Sequence, residues 1–324
     1  MSHDQFEVLS NQAIAICGAA YFVALLMHLA EWAVARSVPA DVPVAVSVGA
    51  AEPQAAEATA EADESTEKME RFGRWGLIAT IVGAGIHLVA VVSRGLAADP
   101  VRVPWGNMYE FTMTGTLVVV VGYLAMYKKF KLQWLSPVVT AFVLITLMVD
   151  VLLLYTPVVP LRDALQSPWL IIHVVAAITA TGAFTLGGMA SGLYLIKERW
   201  LARGGEESAD GRGGYLARLP GLPELDRMAY RTHAFAFPVW TFAALIAGPI
   251  WAQAAWGRYW GWDPKEVWAF ITWVVYAAYL HARATAGWKG RAAAIIALIG
   301  LATLWFNFVG INFFFGSGSQ HSYA

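Results

Sequence analysis

Cysteine is nearly missing from this 324-residue chain, with Cys17 the only one. A lone thiol closes no internal disulfide and runs no dithiol exchange, so Cys17, inside the first apolar run, reads as inert packing. Charge is also scarce: Asp, Glu, Lys and Arg make up 14% of residues and the formal net charge is −1. With no basic cluster on any helix face, this charge balance argues against nucleic-acid partners. No Gly-rich phosphate loop precedes a helix, which argues against a nucleotide cofactor. Period-2 alternation is missing as well, and with it the signature of a membrane β-barrel.

What is present is apolar. The chain is 58% hydrophobic with a mean hydropathy of +0.53, well above an ordinary soluble domain. Apolar runs recur at 13–35, 75–93, 109–127, 134–155, 168–196, 235–252, 266–282 and 293–315. Most reach the roughly 17 to 25 residues a helix needs to cross a bilayer. The expected fold is an all-α, polytopic membrane helical bundle of about eight transmembrane helices. Residues 1–70 would hold the first helix and an acidic linker, and 71–324 the functional core. Most of the 22 Lys and Arg residues fall in loops after odd-numbered spans; the exceptions are Arg94, Arg102, Arg162, Arg258 and Lys265. That bias makes the odd loops cytoplasmic and both termini extracytoplasmic. The N-terminal "MSHDQFEVLSNQ" has no basic n-region, so the first span is expected to be a retained helix. The Ala/Glu-rich stretch 40–68 and "RGGEESADGRGG" at 203–214 lack a periodic apolar face and read as unstructured.

The histidines are spread along the bundle. His173 lies near the outer end of span 5 and His321 in the outer tail, on the same face as the span 6–7 loop. His281 lies at the opposite end of span 7. His87 and His28 sit inside spans, where an ionisable group usually faces other helices or a cavity; His233 and His3 read as solvated. Two acids at the outer face, Glu110 and Asp150, have Arg102 and Arg162 as candidate partners.

The loop "AWGRYWGWDPKEVWAFITW" (255–273) places Trp256, Trp260, Trp262, Trp268 and Trp273 close together. An interfacial tryptophan belt is one reading, but a belt spreads indoles over many helix ends. A flat aromatic surface is the other. Within the loop, Asp263, Pro264 and Glu266 carry the start signature of a helix. Two imidazoles from different helices beside indoles suit haem better than zinc, which normally takes three or four closely spaced ligands.

"WGRYWGWDPKEVWAFITW" resembles the tryptophan-rich WWD signature of haem-handling membrane proteins. "LHAR" (280–283), "GWKGR" (287–291), "HSYA" (321–324), "VPWGNMYE" (103–110) and "SPWLIIHV" are similar to the CcsA/ResC branch of System II cytochrome c biogenesis. The resemblance runs from about residue 75 to the end. It implies a protein that carries haem b outward and, with a ResB-like partner, presents it for covalent attachment to an apocytochrome c bearing Cys-x-x-Cys-His. Having no such segment, the chain is not itself a c-type cytochrome. Carried over, His173 and His321 would be axial iron ligands of an outer site beside the WWD loop. His281 would serve a second, intramembrane site whose other ligand is expected on the partner, with His87 and His28 as in-chain alternatives. Arg258 and Lys265 are candidates for the haem propionates or for lipid headgroups. Since one cysteine cannot keep substrate thiols reduced, a thioredoxin-like reductant is implied. Two further readings stand beside this one: an exporter of haem or another amphiphile without covalent chemistry, and a scaffold whose tryptophans only anchor it.

Overall fold

The computed structural model describes residues 1–35, 53–160, 166–205 and 214–315. Among these the chain forms nine helices and no strands: α1 (His3–Val34), α2 (Pro53–Leu96), α3 (Met108–Tyr127), α4 (Leu132–Leu154), α5 (Pro168–Leu201), α6 (Gly214–Arg218), α7 (Leu222–Trp256), α8 (Pro264–Thr285) and α9 (Arg291–Phe314). Hydrocarbon offers the backbone no partners, so a spanning segment must satisfy its own N–H and C=O groups, and the helix does so within one run. Seven of the nine are long and apolar enough to cross a membrane: α1 to α5, α7 and α9. The eighth expected span, α8, has 22 residues. Its Trp268, Trp273, Tyr276 and Tyr279 lower its hydropathy relative to the aliphatic helices, and charged residues sit at both ends.

The segment 40–68 needs a correction. From Pro53 onward the chain is helical and continuous with the second span, because alanine and glutamate are strong helix formers. Residues 36–52 lie outside the described residues, as do 206–213 of the second stretch read as unstructured.

Helix α1 packs along α2 and against α4, while α5 lies at the centre of the bundle and touches α3, α7 and α9. Buried Ala176, Ala177, Ala180 and Ala190 make α5 narrow enough for this. The interior divides into one cluster built on Tyr21, Tyr123, Trp134 and Leu225, another on Phe184, Trp240, Tyr276 and Tyr279, and a small third on Leu170, Val174, Ile178 and Trp251.

His233, expected to be solvated, is fully buried in α7. Its ring lies 5.3 Å from those of Tyr276 and Tyr279 and 5.9 Å from Phe184. Its neighbours in sequence, Arg231 and Thr232, make the segment look like a loop, but α7 begins eleven residues earlier, at Leu222. His3, by contrast, is exposed and donates from Nδ1 to the Leu96 carbonyl, 3.1 Å away.

Three of the spanning helices contain a π-helical turn, at 150–154, 243–247 and 306–310. Such turns offset the backbone ladder and recur at functional sites. Two of the three border the pocket described next.

Candidate functional site

One end of the bundle holds a cavity of about 190 Å³. Its walls come from the start of α3 with the loop before it, the first half of α5, the end of α7, the α7–α8 loop, the start of α8 and the end of α9. Trp105, Phe111, Trp240, Trp251, Trp260 and Phe308 make it aromatic, the mixture of apolar walls and few polar groups typical of a ligand site.

His173 is positioned with care. Ser167 caps α5 by accepting a hydrogen bond from the Trp169 N–H, and Pro168 starts the helix, so the imidazole enters the pocket in its second turn. Ring Nδ1 lies 2.9 Å from the Ala243 carbonyl. A carbonyl only accepts, so Nδ1 carries the proton and a neutral ring keeps its lone pair on Nε2. The same carbonyl accepts the Gly248 N–H that closes the π-turn. Trp251 lies nearly parallel to the imidazole, 15° off, with centroids 5.8 Å apart. Trp256 meets Trp251 edge-on at 4.8 Å.

Gly248 permits this approach. A Cβ there would sit 3.2 Å from both Cε1 and Nδ1 of His173 and 3.1 Å from the Ala243 oxygen. Gly248→Ala is therefore expected to displace the imidazole while leaving the helices in place. Spectroscopy of whatever ligand His173 holds should change, with a loss of about 1–3 kcal/mol in thermal unfolding.

The WWD loop leaves α7 through Gly257, whose φ of 72° suits glycine. It re-enters helix α8 at Asp263, which accepts from Lys265 N–H while Glu266 accepts from the backbone N–H of Asp263 at 3.0 Å and of Gly261 at 2.8 Å. The helix-start signature is thus realised as a capping box. Of the loop tryptophans only Trp260 lines the pocket; Trp256 stands behind Trp251, and Trp262, at φ 58°, is 69% exposed. Trp268 packs on Phe306 at 4.3 Å, and Trp273 donates to Thr241 Oγ1 at 2.9 Å, so both serve helix packing. Lys265 reaches the pocket, whereas Arg258 lies exposed over Gly261 and is not among the lining residues.

Four buried polar atoms on residues of the pocket wall have no partner among the described residues: Trp260 Nε1, Asn107 Nδ2, Asn307 Oδ1 and Asn312 Oδ1. A buried polar atom left unpaired costs about 1–3 kcal/mol, so four around one cavity point to a ligand or water that completes them. Nothing in the sequence singles out Asn307, Asn312, Trp240 or Trp251 for the pocket, whereas "VPWGNMYE" covers Trp105 and Asn107.

The loop bearing Trp105 and Asn107 is tied to a buried carboxylate. Arg102 grips Glu110 with two bonds of 2.6 and 3.1 Å, Gly106 N–H donates to it at 2.8 Å, and Arg94 approaches at 3.4 Å. The expected Glu110–Arg102 pair thus exists. Asp150 is buried with neither carboxylate oxygen hydrogen-bonded among the described residues, and Arg162 lies outside them. Glu110→Gln would leave two guanidiniums facing a neutral amide. We expect a loss of about 3 kcal/mol, read by thermal unfolding, and proteolytic cleavage in 98–107 ahead of the rest of the chain.

The remaining histidines lie elsewhere. His87, in α2, has both ring nitrogens engaged, Nε2 with the Met113 carbonyl at 3.0 Å and Nδ1 with the Tyr21 hydroxyl at 3.4 Å, so it serves helix–helix contact. His28 pairs with Glu31 at 3.2 Å. His281 is exposed near the far end of α8, away from the pocket. His321 lies outside the described residues.

Residues 105–317 match the family model described as cytochrome C assembly protein. The chain is 34% identical over 282 residues to the cytochrome c biogenesis protein CcsA of Trieres chinensis, covering 77% of this chain and 86% of that one. It is 35% identical to the CcsA of Mesostigma viride, over 79% of this chain and 87% of that one. Among solved structures, the cytochrome c haem lyase CcmF shares the fold at a TM-score of 0.58 and 14% identity, over 96% of this chain and 49% of that one. The chain therefore belongs to the CcsA family of cytochrome c assembly proteins.

Proposed function

We propose that this multi-pass membrane protein acts in cytochrome c maturation by receiving haem b and holding it in the His173 pocket for attachment to apocytochrome c. One observation carries this reading: an imidazole whose Nδ1 proton is locked to a backbone carbonyl, so that Nε2 is the atom left to bind a metal, inside an indole-lined cavity. A hydrogen bond from the far ring nitrogen to a carbonyl orients a metal-binding histidine and raises its basicity. The donor set suits the cargo. Indoles meet the porphyrin face, and Lys265, the Trp260 N–H and the Asn107 amide are donors for its carboxylates.

His321 is the proposed second ligand. It follows Phe315, just past the α9 end that carries the wall residue Asn312, by six positions, and that length of chain spans at most about 20 Å when extended, a reach suited to the pocket. His281, exposed on α8, suits an intramembrane site shared with a histidine of a ResB-like partner. The pocket end is proposed to be extracytoplasmic at the plasma membrane, in line with the distribution of Lys and Arg. The chain's part is to bind and orient. The thioether bonds belong to the haem vinyl groups and substrate thiols, which a thioredoxin-like protein would keep reduced.

The test is a pyridine haemochrome assay on the protein purified with and without its partner, then coexpression with an apocytochrome. Thioether-linked product supports the proposal. Free haem outside with none attached returns the exporter reading, and no haem in either preparation overturns both.

A further inference from the structure

The motif "GWKGR" (287–291) forms the turn from α8 into α9, at the end of the bundle opposite the pocket. Its backbone is fixed at each step. The N–H groups of Ala286 and Trp288 both donate to the Ala282 carbonyl, at 3.1 and 3.2 Å. Gly290 N–H donates to Asp226 Oδ1 at 3.0 Å, and the same carboxylate takes Arg283 in two bonds of 2.6 and 2.9 Å. Gly287 and Gly290 have φ of 62° and 66°, the region that favours glycine. At Gly290 a Cβ would also come within 2.6 Å of the Tyr194 hydroxyl. The turn therefore folds back on the end of α8, and the Trp288 backbone is tied to the residue that follows His281.

The helix decides which way His281 faces. Positions seven and eleven residues apart lie nearly in line, so Phe270, Val274 and His281 form one stripe along α8. All three are exposed, which turns the stripe away from the bundle. Arg283, two positions on, lies about 200° around the helix. There Asp226 holds it inward, with its guanidinium 4.5 Å from the centre of the Tyr230 ring. Beside the stripe, Trp288 is 47% exposed. Of the nearby cations Arg283 is engaged by Asp226 and Arg291 leans on Glu198 at 3.9 Å. Lys289 is exposed and has no ion pair among the described residues. An imidazole, an indole and an uncommitted ammonium are thus carried by one fixed turn and the helix end it is bonded to. A membrane anchor needs no such rigidity, whereas a ligand site gains affinity from groups held in place beforehand.

We propose that the α8–α9 turn is the carboxylate-binding and ring-packing part of the His281 site. His281 offers the iron ligand, Trp288 a face for the porphyrin ring and Lys289 a cation for a haem carboxylate, while Phe270 and Val274 continue the apolar surface into the membrane. This names the residues of the intramembrane site proposed above and rests on that reading. The charge-assisted contact places the carboxylate edge toward the aqueous end of the stripe.

Titration of ferric haem and of haem dimethyl ester into the full-length His173→Ala protein in lipid nanodiscs tests it. That background silences the pocket at the other end, so the absorbance of imidazole-bound haem reads the His281 site. Lys289→Gln should weaken haem binding about tenfold and leave the ester, which has no free carboxylate, unchanged; Lys289→Arg should keep both. Trp288→Ala should weaken both ligands several-fold, and Trp288→Phe should restore them. Unchanged affinity in His281→Ala would remove the intramembrane site itself, and this part of it as well. Weaker haem binding in His281→Ala with wild-type affinity in Lys289→Gln, or an ester loss as large as the haem loss, would overturn the assignment of the turn and leave the site standing.

Discussion

Replacing His173 with alanine is expected to remove most of the haem that co-purifies with the protein. What remains should be five-coordinate and high-spin. The effect is large because the residue supplies the lone-pair nitrogen of this cavity's only histidine among the described residues, and because its surroundings are built to hold that one ring. The Ala243 carbonyl fixes the tautomer, Gly248 leaves the space and Trp251 lies along the ring face. Deleting the imidazole leaves these elements standing around an imidazole-sized gap. Added free imidazole should therefore restore a low-spin spectrum to the alanine variant, which a misfolded protein would not permit. Absorption spectra recorded with and without imidazole check both parts.

Trp251→Ala should have the largest effect on stability. Trp251 is 2% exposed and joins Leu170, Val174 and Ile178 in the small cluster under the pocket. Truncating a buried tryptophan costs about 3–5 kcal/mol through lost transfer energy and the cavity left behind. It also removes the surface against which His173 lies, so haem should dissociate faster as well. Trp251→Phe keeps an aromatic face and should recover most of the stability. Thermal unfolding of the three proteins, with haem transfer to apomyoglobin as the measure of dissociation, separates the packing effect from the ligand effect.

Much of this architecture is legible in the sequence for a physical reason. A bilayer admits few backbone solutions, so long apolar runs translate into helices almost one for one. The start of α8 is legible too, since Asp263 and Glu266 form a local motif whose geometry needs no tertiary context. The grouping of His173 with Trp260 follows from topology, because the start of α5 and the end of α7 belong to the same end of the bundle. What was not legible depends on tertiary packing. Nothing in "FAALIAGPIW" announces a π-turn at 243–247, yet that turn's carbonyl is what holds His173. His233 reads as solvated from its charged neighbour and is instead enclosed by two tyrosines and a phenylalanine from other helices. Trp262 and Arg258 share the loop's composition but not its pocket-facing side, because the turn at Trp262 carries its indole outward. The helical reach of α2 to Pro53 was obscured because alanine and glutamate, a strong helix-forming pair, also dominate unstructured linkers.

The central claim is that His173 and His321 bind one iron from opposite faces. Near-infrared magnetic circular dichroism of the haem-loaded chain, purified without a partner, measures the axial ligand pair directly. The account predicts a bis-imidazole signature in the wild type, its conversion to a histidine–methionine signature in His321→Met, and its loss in His173→Ala. A wild-type signature that persists unchanged in both variants would contradict it.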